Sequence, residues 1–470
     1  MENLKKVTRA QWCLFVLLIG FALLMQNCNE DDVTIFEENQ TETELNAKPV
    51  KVTVCRQNLK KGTYSEVTVI EKRLQPGDVV IDADGDGYAA ANECNMLNGL
   101  DCDDTNAAIN PGALEICGDG IDNNCDGVID EGCTYVPDDN FEQALIDLGY
   151  DDVLDNYVVT ANINARTSLN VNYYAGYSPG KIADLTGIED FTALTSLECN
   201  NNQLTSLNVS KNTALTILSC NDNQLTSLDI SNNTALVSFY CGSNQLTSLD
   251  ISNNTALVSL GCGSNLLESL DVSNNTALKS LDCGGNLLKS LDVSKNIALE
   301  SLHINDNQLT SIDVSANTAL YRLDCDYNDI NSLDVSNNPA LNSLYCEFND
   351  LVTINVSNNP NLTDFYCYEN QLTSLDVSSI ANLNWLYCSN NLLTSVDVSN
   401  NAALSGLWID NNQLTSLDVS QNFVLEYLEC FNNAALDCIQ VNISQLATAP
   451  TDPNWIKDEP AIYSTNCSSN

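Results

Sequence analysis

Histidine is almost absent from this 470-residue chain, which carries one, His303. Basic residues are scarce too: 18 Lys and Arg stand against 63 Asp and Glu, a net charge of −45. So acidic a chain repels nucleic acid and anionic membrane surfaces and attracts metal cations. A single histidine leaves no imidazole cluster, and the sequence shows no serine or cysteine constellation around it. Phosphate loops and zinc motifs are also missing, so the chain is not expected to be an enzyme. The apolar run from Cys13 to Met25 is too short for a comfortable membrane span. Disorder does not follow from the acidity, because 44% of the residues are hydrophobic and they recur in register.

The first 28 residues read as an export signal: Lys5, Lys6 and Arg9 precede the apolar run. The sequence LLMQNCNEDD that follows resembles a bacterial lipoprotein signal with Cys28 lipidated, and Glu30, Asp31 and Asp32 resemble the surface-export signal of Bacteroidota lipoproteins. That resemblance implies an outer-membrane lipoprotein exposed at the cell surface and touching the membrane only through its lipid. Ordinary secretion and an uncleaved anchor are the alternatives. All three are extracytoplasmic, where disulfides form. Residues 29–77 read as an acidic tether followed by a small β segment, with strand-like alternation over 50–74.

From Leu194 a leucine recurs every 21 residues as far as Leu425, giving twelve units of LxxLxCxxNxLTSLDVSNNTA over 194–445. Repetition of this length means a solenoid. Counting the first leucine of a unit as position one, positions four and six are apolar and their neighbours mostly polar, as in a strand with one buried face. The second half, as in Leu228-Asp229-Ile230-Ser231, predicts a second short extended segment on the far side of the coil. Asn fills position nine in every unit, from Asn202 to Asn433. It is expected to point inward and bond backbone groups of successive coils. Cys fills position six in ten units, with Ile304 and Ile409 in the others. Exchange with isoleucine marks a compact apolar slot and predicts free, buried thiols.

The pattern resembles the leucine-rich repeat, LxxLxLxxNxL, and in style the arrays of Bacteroidota surface proteins and of internalins. The fold implied is an α/β-type solenoid, mostly β, with 21-residue coils. Residues 134–193 should cap its front, with Asp139 and Glu142 as a capping box and Phe141, Leu145 and Ile146 on one helical face. Residues 446–470 should cap its back, and Cys438–Cys467 is the expected closing disulfide.

Residues 78–133 form a small acidic module. Asp82, Asp84, Asp86, Gly87 and Glu93 match D-x-D-x-D-G-x5-E, in which alternating acids aim oxygens at one point; Tyr88 can add its carbonyl. Asp122, Asn124, Asp126 and Gly127 repeat the idea, with Asp130 or Glu131 replacing the missing twelfth-position acid. Asp101, Asp103 and Asp104 lie between. The whole run resembles the metal-binding motif named after the copper-binding protein MopE. Carboxylates in a flexible loop nevertheless suit calcium, since copper asks for His or Met and only Met96 is near. Cys94, Cys102, Cys117, Cys125 and Cys133, with Cys55, are expected to staple the module in a connectivity the sequence leaves open.

A leucine-rich array offers partners the exposed column of its sheet. At position five this column is bare at Gly261, Asp282 and His303 but aromatic at Tyr345, Tyr366, Tyr387 and Trp408, with Tyr368, Trp385 and Tyr427 beside them. The rings could serve strand stacking or mark a binding surface. The expected function is calcium-stabilised binding of a protein ligand or cell surface on the concave face. A glycan ligand and an envelope structural or accessory role are the alternatives.

Overall fold

The computed structural model describes residues 51–58, 63–70, 79–80, 84–88, 101–174 and 180–467. The chain divides into two compact units, 1–107 and 108–470, with the boundary inside the acidic segment. In the first unit, Lys51–Asn58 and Thr63–Ile70 pair as an antiparallel hairpin, and Val79–Val80 joins the free edge of the first strand.

In the second unit each 21-residue coil contributes one strand of three residues, from Ser196–Glu198 to Tyr427–Glu429. These strands pair in parallel with apolar side chains in register: Leu260 lies between Phe239 and Leu281. Ser168–Asn170 before the repeats and Trp455–Ile456 after them extend the sheet to fourteen strands. No coil can enclose an apolar core alone, so each buries its leucines against its neighbours. Leu257, Leu260, Leu267, Leu270 and Val272 show one coil's share of a core that runs unbroken through the array.

All ten array cysteines are buried and unbonded. Burial pushes the Cys262 thiol up to about 12, so it stays neutral and behaves as a small apolar side chain. The position-nine asparagine bridges coils. Asn223 Nδ2 donates to the carbonyl of Cys220 in its own coil (3.1 Å) and of Cys199 in the preceding one (3.0 Å). Its Oδ1 accepts from the Leu204 N–H at 3.0 Å. Just before it, position eight is left-handed throughout, with φ between +46° and +64° from Asn201 to Asn432.

The far side of the coil departs from expectation. A second strand ladder does not run along it; among the described residues the far side holds isolated bridges at Asp334–Asn355 and Asp376–Asp397 and a short sheet at the C-terminal end. The aspartates there turn the chain instead: Asp229 Oδ1 accepts from the Ser231 N–H at 2.9 Å, and Asp250 and Asp271 do the same to Ser252 and Ser273. The serine hydroxyl and N–H hold these exposed carboxylates below their usual range. A second asparagine column at position nineteen joins the coils here. Asn254 Nδ2 donates to Ile230 O (3.1 Å) and Asn233 O (2.9 Å), both in the coil before.

Both ends are closed. The front helix, Asp139–Asp147, is capped by Asp138 rather than by an Asp139–Glu142 box, because Asp138 is the last extended residue before the first turn. Its Oδ1 accepts from the N–H groups of Asn140 and Phe141, and its Oδ2 from those of Ala183 and Asp184. Glu142 is buried and turns away, its Oε1 accepting from Asp155, Asn156 and Tyr157. Phe141 and Leu145 are buried, whereas Ile146 is half-buried. At the back, Asn442 and Gln445 form a capping box at the helix Ile443–Thr448, and Cys438 is bonded to Cys467. Gln445 Nε2 donates to Val419 O and Asn422 O, taking the place that an asparagine holds in the repeats.

Two substitutions separate packing from bridging. Cys262→Val should cost less than about 1.5 kcal/mol, as a near-isosteric core exchange. Asn254→Ala strips two buried carbonyls of their donor and should cost about 2 kcal/mol, read as a lower urea midpoint. A thiol reagent added to unfolded, unreduced protein should find the ten array cysteines free; none reacting would overturn the packing account.

Candidate binding face and metal cluster

In the acidic segment Asp84, Asp86 and Asp101 come together, each with a carboxylate oxygen within 4.8 Å of the others. The Asp86 Oδ2 and Asp101 Oδ2 atoms are buried with no hydrogen-bond partner, and burial, followed by the charges of Asp86, Asp84 and Asp104, raises the Asp101 carboxyl. The Tyr88 N–H donates to Asp86 Oδ1 and the Asp103 N–H to Asp101 Oδ1, both at 2.8 Å, which fixes these carboxylates from behind. Three converging carboxylates, with buried, unsatisfied oxygens on Asp86 and Asp101, fit a hard divalent cation. Asp82, Glu93 and Cys28 lie outside the described residues.

The other acidic loops are spent locally. Asp103 Oδ1 accepts from the Thr105 hydroxyl. Asp122 accepts from the N–H groups of Asp126 and Gly127, Asn124 from Asp126, and Asp126 from Val128. Asp130 accepts from the Gly118 N–H, and Glu131 bonds the Asn124 amide. Among the described residues no second group of three acids converges. Cys117 is bonded to Cys133, and Cys102 and Cys125 are also in disulfides.

On the open face of the sheet the aromatic residues form one continuous row. Tyr345, Tyr366, Tyr387 and Trp408 follow one another with ring centroids 4.9, 4.2 and 4.0 Å apart, the last pair within 4° of parallel. Trp385 and Tyr427 flank Trp408 at 5.7 and 6.0 Å. Gly406 makes this possible, since a Cβ there would collide with both indoles. Tyr368 belongs to a parallel row, 5.2 Å from Phe348, which stacks on Tyr327 at 4.1 Å. Burial pushes the Tyr368 hydroxyl up to about 12, with Glu347 and Asp326 adding to it.

The stretch read as bare is not featureless. Gly242, Gly261, Gly263, Gly284 and Gly285 floor a polar cleft of about 400 Å³ walled by Tyr240, Asn221, Asp282 and Asn305. Nor does His303 stand alone: its Nε2 is 3.0 Å from Ser301 Oγ and its Nδ1 3.5 Å from Asp324 Oδ2. Ser301 is only 8% exposed, so this trio is a seam between rungs rather than an open nucleophile. Beyond it stand groups that the sequence reading passed over: Arg322, Asp326 and Glu347. Their signal was faint, two acids and one cation in otherwise variable strand positions.

Residues 101–131 match the family model Cu-binding MopE, described as "Putative metal-binding motif". Comparison with curated protein sequences finds no match. Among solved structures, the functional domain of InlJ from Listeria monocytogenes, described as including a cysteine ladder, is 30% identical over 69% of this chain and 80% of that one, at a TM-score of 0.53. An internalin, InlF, from the same species is 25% identical over 66% of this chain and 90% of that one, at 0.57. The LRIM1/APL1C complex shares the fold alone, at 23% identity, 60% and 54% coverage and a TM-score of 0.50. Stacked coils with one strand each and the identity to InlJ lead to one conclusion: the chain belongs to the leucine-rich repeat proteins of the internalin type.

Proposed function

We propose that this is an extracytoplasmic, surface-exposed scaffold, anchored through a lipid on Cys28, that binds a protein ligand on the open face of its sheet. The observation that carries this reading is the aromatic row from Tyr345 to Tyr427. Its rings are half-buried or exposed and contiguous, and a glycine is set aside to accommodate them. Rings presented side by side on a rigid sheet supply contact area at little entropic cost, the character of interface hot spots. The disulfides fit an oxidising compartment. The three-carboxylate cluster is assigned to calcium, because its donors are hard oxygens with neither imidazole nor sulfur among them. A glycan ligand is the second reading, supported by the polar cleft beside Tyr240.

Capture of surface partners on the immobilised full chain, followed by affinity measurement, tests the main reading. Tyr366→Ser, Tyr387→Ser and Trp408→Ser should each cost about 2 kcal/mol in binding. The strands persist in these variants, because the inward Phe365, Leu386 and Leu407 are untouched and fully buried. A folded triple variant that holds its partner at full affinity removes this end of the sheet as the site, and a lowered melting temperature with binding intact makes the rings structural.

Calorimetric titration of the full chain with calcium chloride, and in parallel with copper, tests the metal. Asp84→Asn and Asp101→Asn should each weaken calcium uptake by about tenfold or more, since each removes one of three converging ligands. No uptake at millimolar calcium, or tighter uptake of copper, defeats the calcium assignment.

A further inference from the structure

Among the strand positions facing the open side of the twelve coils, Arg322 is the only Lys or Arg. It sits in the middle of the array, with its Nη2 3.6 Å from Asp324 Oδ2 and its guanidinium 4.5 Å above the Tyr345 ring. Asp324 is also the acid facing His303, so the Arg322 guanidinium and the His303 ring fall on one carboxylate. Two residues past the strand ends, at position seven of successive rungs, stand Asp326 and Glu347, for which no ion pair occurs among the described residues. Glu347 is 5% exposed, and its Oε2 is buried with no hydrogen-bond partner; Asp326 Oδ1 is buried in the same way. Rings border the pair on both sides: Tyr345 and Tyr366 in one row, Tyr327 and Phe348 in the other, with Tyr368 at the next rung.

A buried carboxylate oxygen without a partner is costly, and Glu347 keeps one beside a second acid, Asp326, which is half-buried and shares a hydrogen bond with Asp324. We propose that Asp326 and Glu347, walled by Tyr327, Tyr345 and Tyr368, form a receptor for an arginine side chain of a protein partner. A bare metal ion fits less well, because the oxygens here do not converge as those of Asp84, Asp86 and Asp101 do. A guanidinium is long and flat, donates to two carboxylates at once and stacks on tyrosine, as Arg322 already does on Tyr345. The inference rests on the proposed function only in taking the partner to be a protein; it shares Tyr345 with the aromatic row and has Tyr366 at its border, but its carboxylates lie outside that row.

The site also has a pH signature. Burial, then the charge of Asp324 and the hydrogen bond shared with it, then Asp306, holds Asp326 up to about 7; burial, then Asp326 and Asp324, holds Glu347 up to about 8 against the backbone N–H groups of Glu347 itself and Cys346. Arg322 and His303 reach the neighbouring Asp324; Tyr368 and the neutral thiols of Cys325, Cys346 and Cys367 face the pair; Tyr327 and Glu369 lie against Tyr368. A cation favours the ionised carboxyls, so its binding should strengthen as pH rises through 7 to 8 and should release protons. Without ligand the sign is reversed. Glu347 is harder to ionise in the folded state, so the stability it contributes in acid is lost as pH rises toward 8, and Glu347→Gln should melt higher than the parent at pH 9 but not at pH 4.

The test is titration of the full chain with Nα-acetylarginine amide, followed by tyrosine fluorescence and calorimetry. The neutral citrulline analogue, the lysine analogue and calcium chloride run in parallel. The expected result is one saturable site, about tenfold weaker for citrulline and weaker for lysine, with affinity rising from pH 6 to pH 9. Asp326→Asn and Glu347→Gln should each weaken it at least about fivefold. The triple variant Asp250→Asn/Asp271→Asn/Asp292→Asn removes more charge from the far side and should leave it unchanged. Equal binding of citrulline, non-saturating uptake, an unchanged affinity in the Asp326→Asn/Glu347→Gln variant, or displacement of the probe by calcium would each overturn the assignment. The Asp326→Asn and Glu347→Gln variants leave Tyr387 and Trp408 untouched, so loss of this receptor and loss of the aromatic site are told apart.

Discussion

Everything in the array depends on amide side chains that carry a hydrogen bond from one coil to the next. A coil of 21 residues with a single three-residue strand leaves most of its backbone outside the sheet. The carbonyls at its two turns face an apolar core whose leucines offer no donor. Asn at position nine answers one turn and Asn at position nineteen the other, each donating into the coil before it. The leucines supply the driving force for stacking, but they are non-directional. The amides fix the distance and register at which the stacking occurs, and the strand face inherits that register.

With the register fixed, side chains at a given position stand in files on the open face. A file of rings becomes a stack, a file of glycines a cleft, and two acids in one file a pair of carboxylates forced together. The chemistry of this protein therefore arises from small differences between nearly identical coils. Its acidity takes three forms along the chain. The far-side aspartates are spent on turns and remain exposed and charged. The loop acids near Asp101 converge as a cation site would. Glu347 is buried with one oxygen unsatisfied, and Asp326 beside it is half-buried and hydrogen-bonded to Asp324.

How much of this the sequence disclosed follows from periodicity. The cysteine and position-nine asparagine columns were legible because they repeat every 21 residues and each has one chemical reading. The position-nineteen asparagines repeat almost as faithfully, broken by Ile380, yet their role is not legible because Asp, Ser and Asn beside them look like surface turn residues. The same local competition defeated the second strand: an aspartate that can bond the N–H two residues on prefers the turn. At the front, Asp138 and Asp139 are equally good caps by composition, and only the backbone decides between them. The acid pair was invisible for a different reason. Asp326 and Glu347 fall in a variable column, and their burial comes from rings of other coils. Gly406 was likewise meaningful only once Trp385 and Trp408 were known to meet over it.

The closing glutamine has a consequence for how such a protein changes over generations. Gln445 reads only two carbonyls, those of Val419 and Asn422, and the repeats offer the same pair wherever Val and Asn hold positions sixteen and nineteen. The end cap can therefore seat on many different coils. Unequal crossing-over that removes or duplicates whole 21-residue units preserves both amide columns and the seal, whereas an insertion of any other length breaks all of them at once. Recombination can thus lengthen or shorten the display surface in steps of one rung, moving rings, clefts and charges relative to one another while the fold itself goes untested.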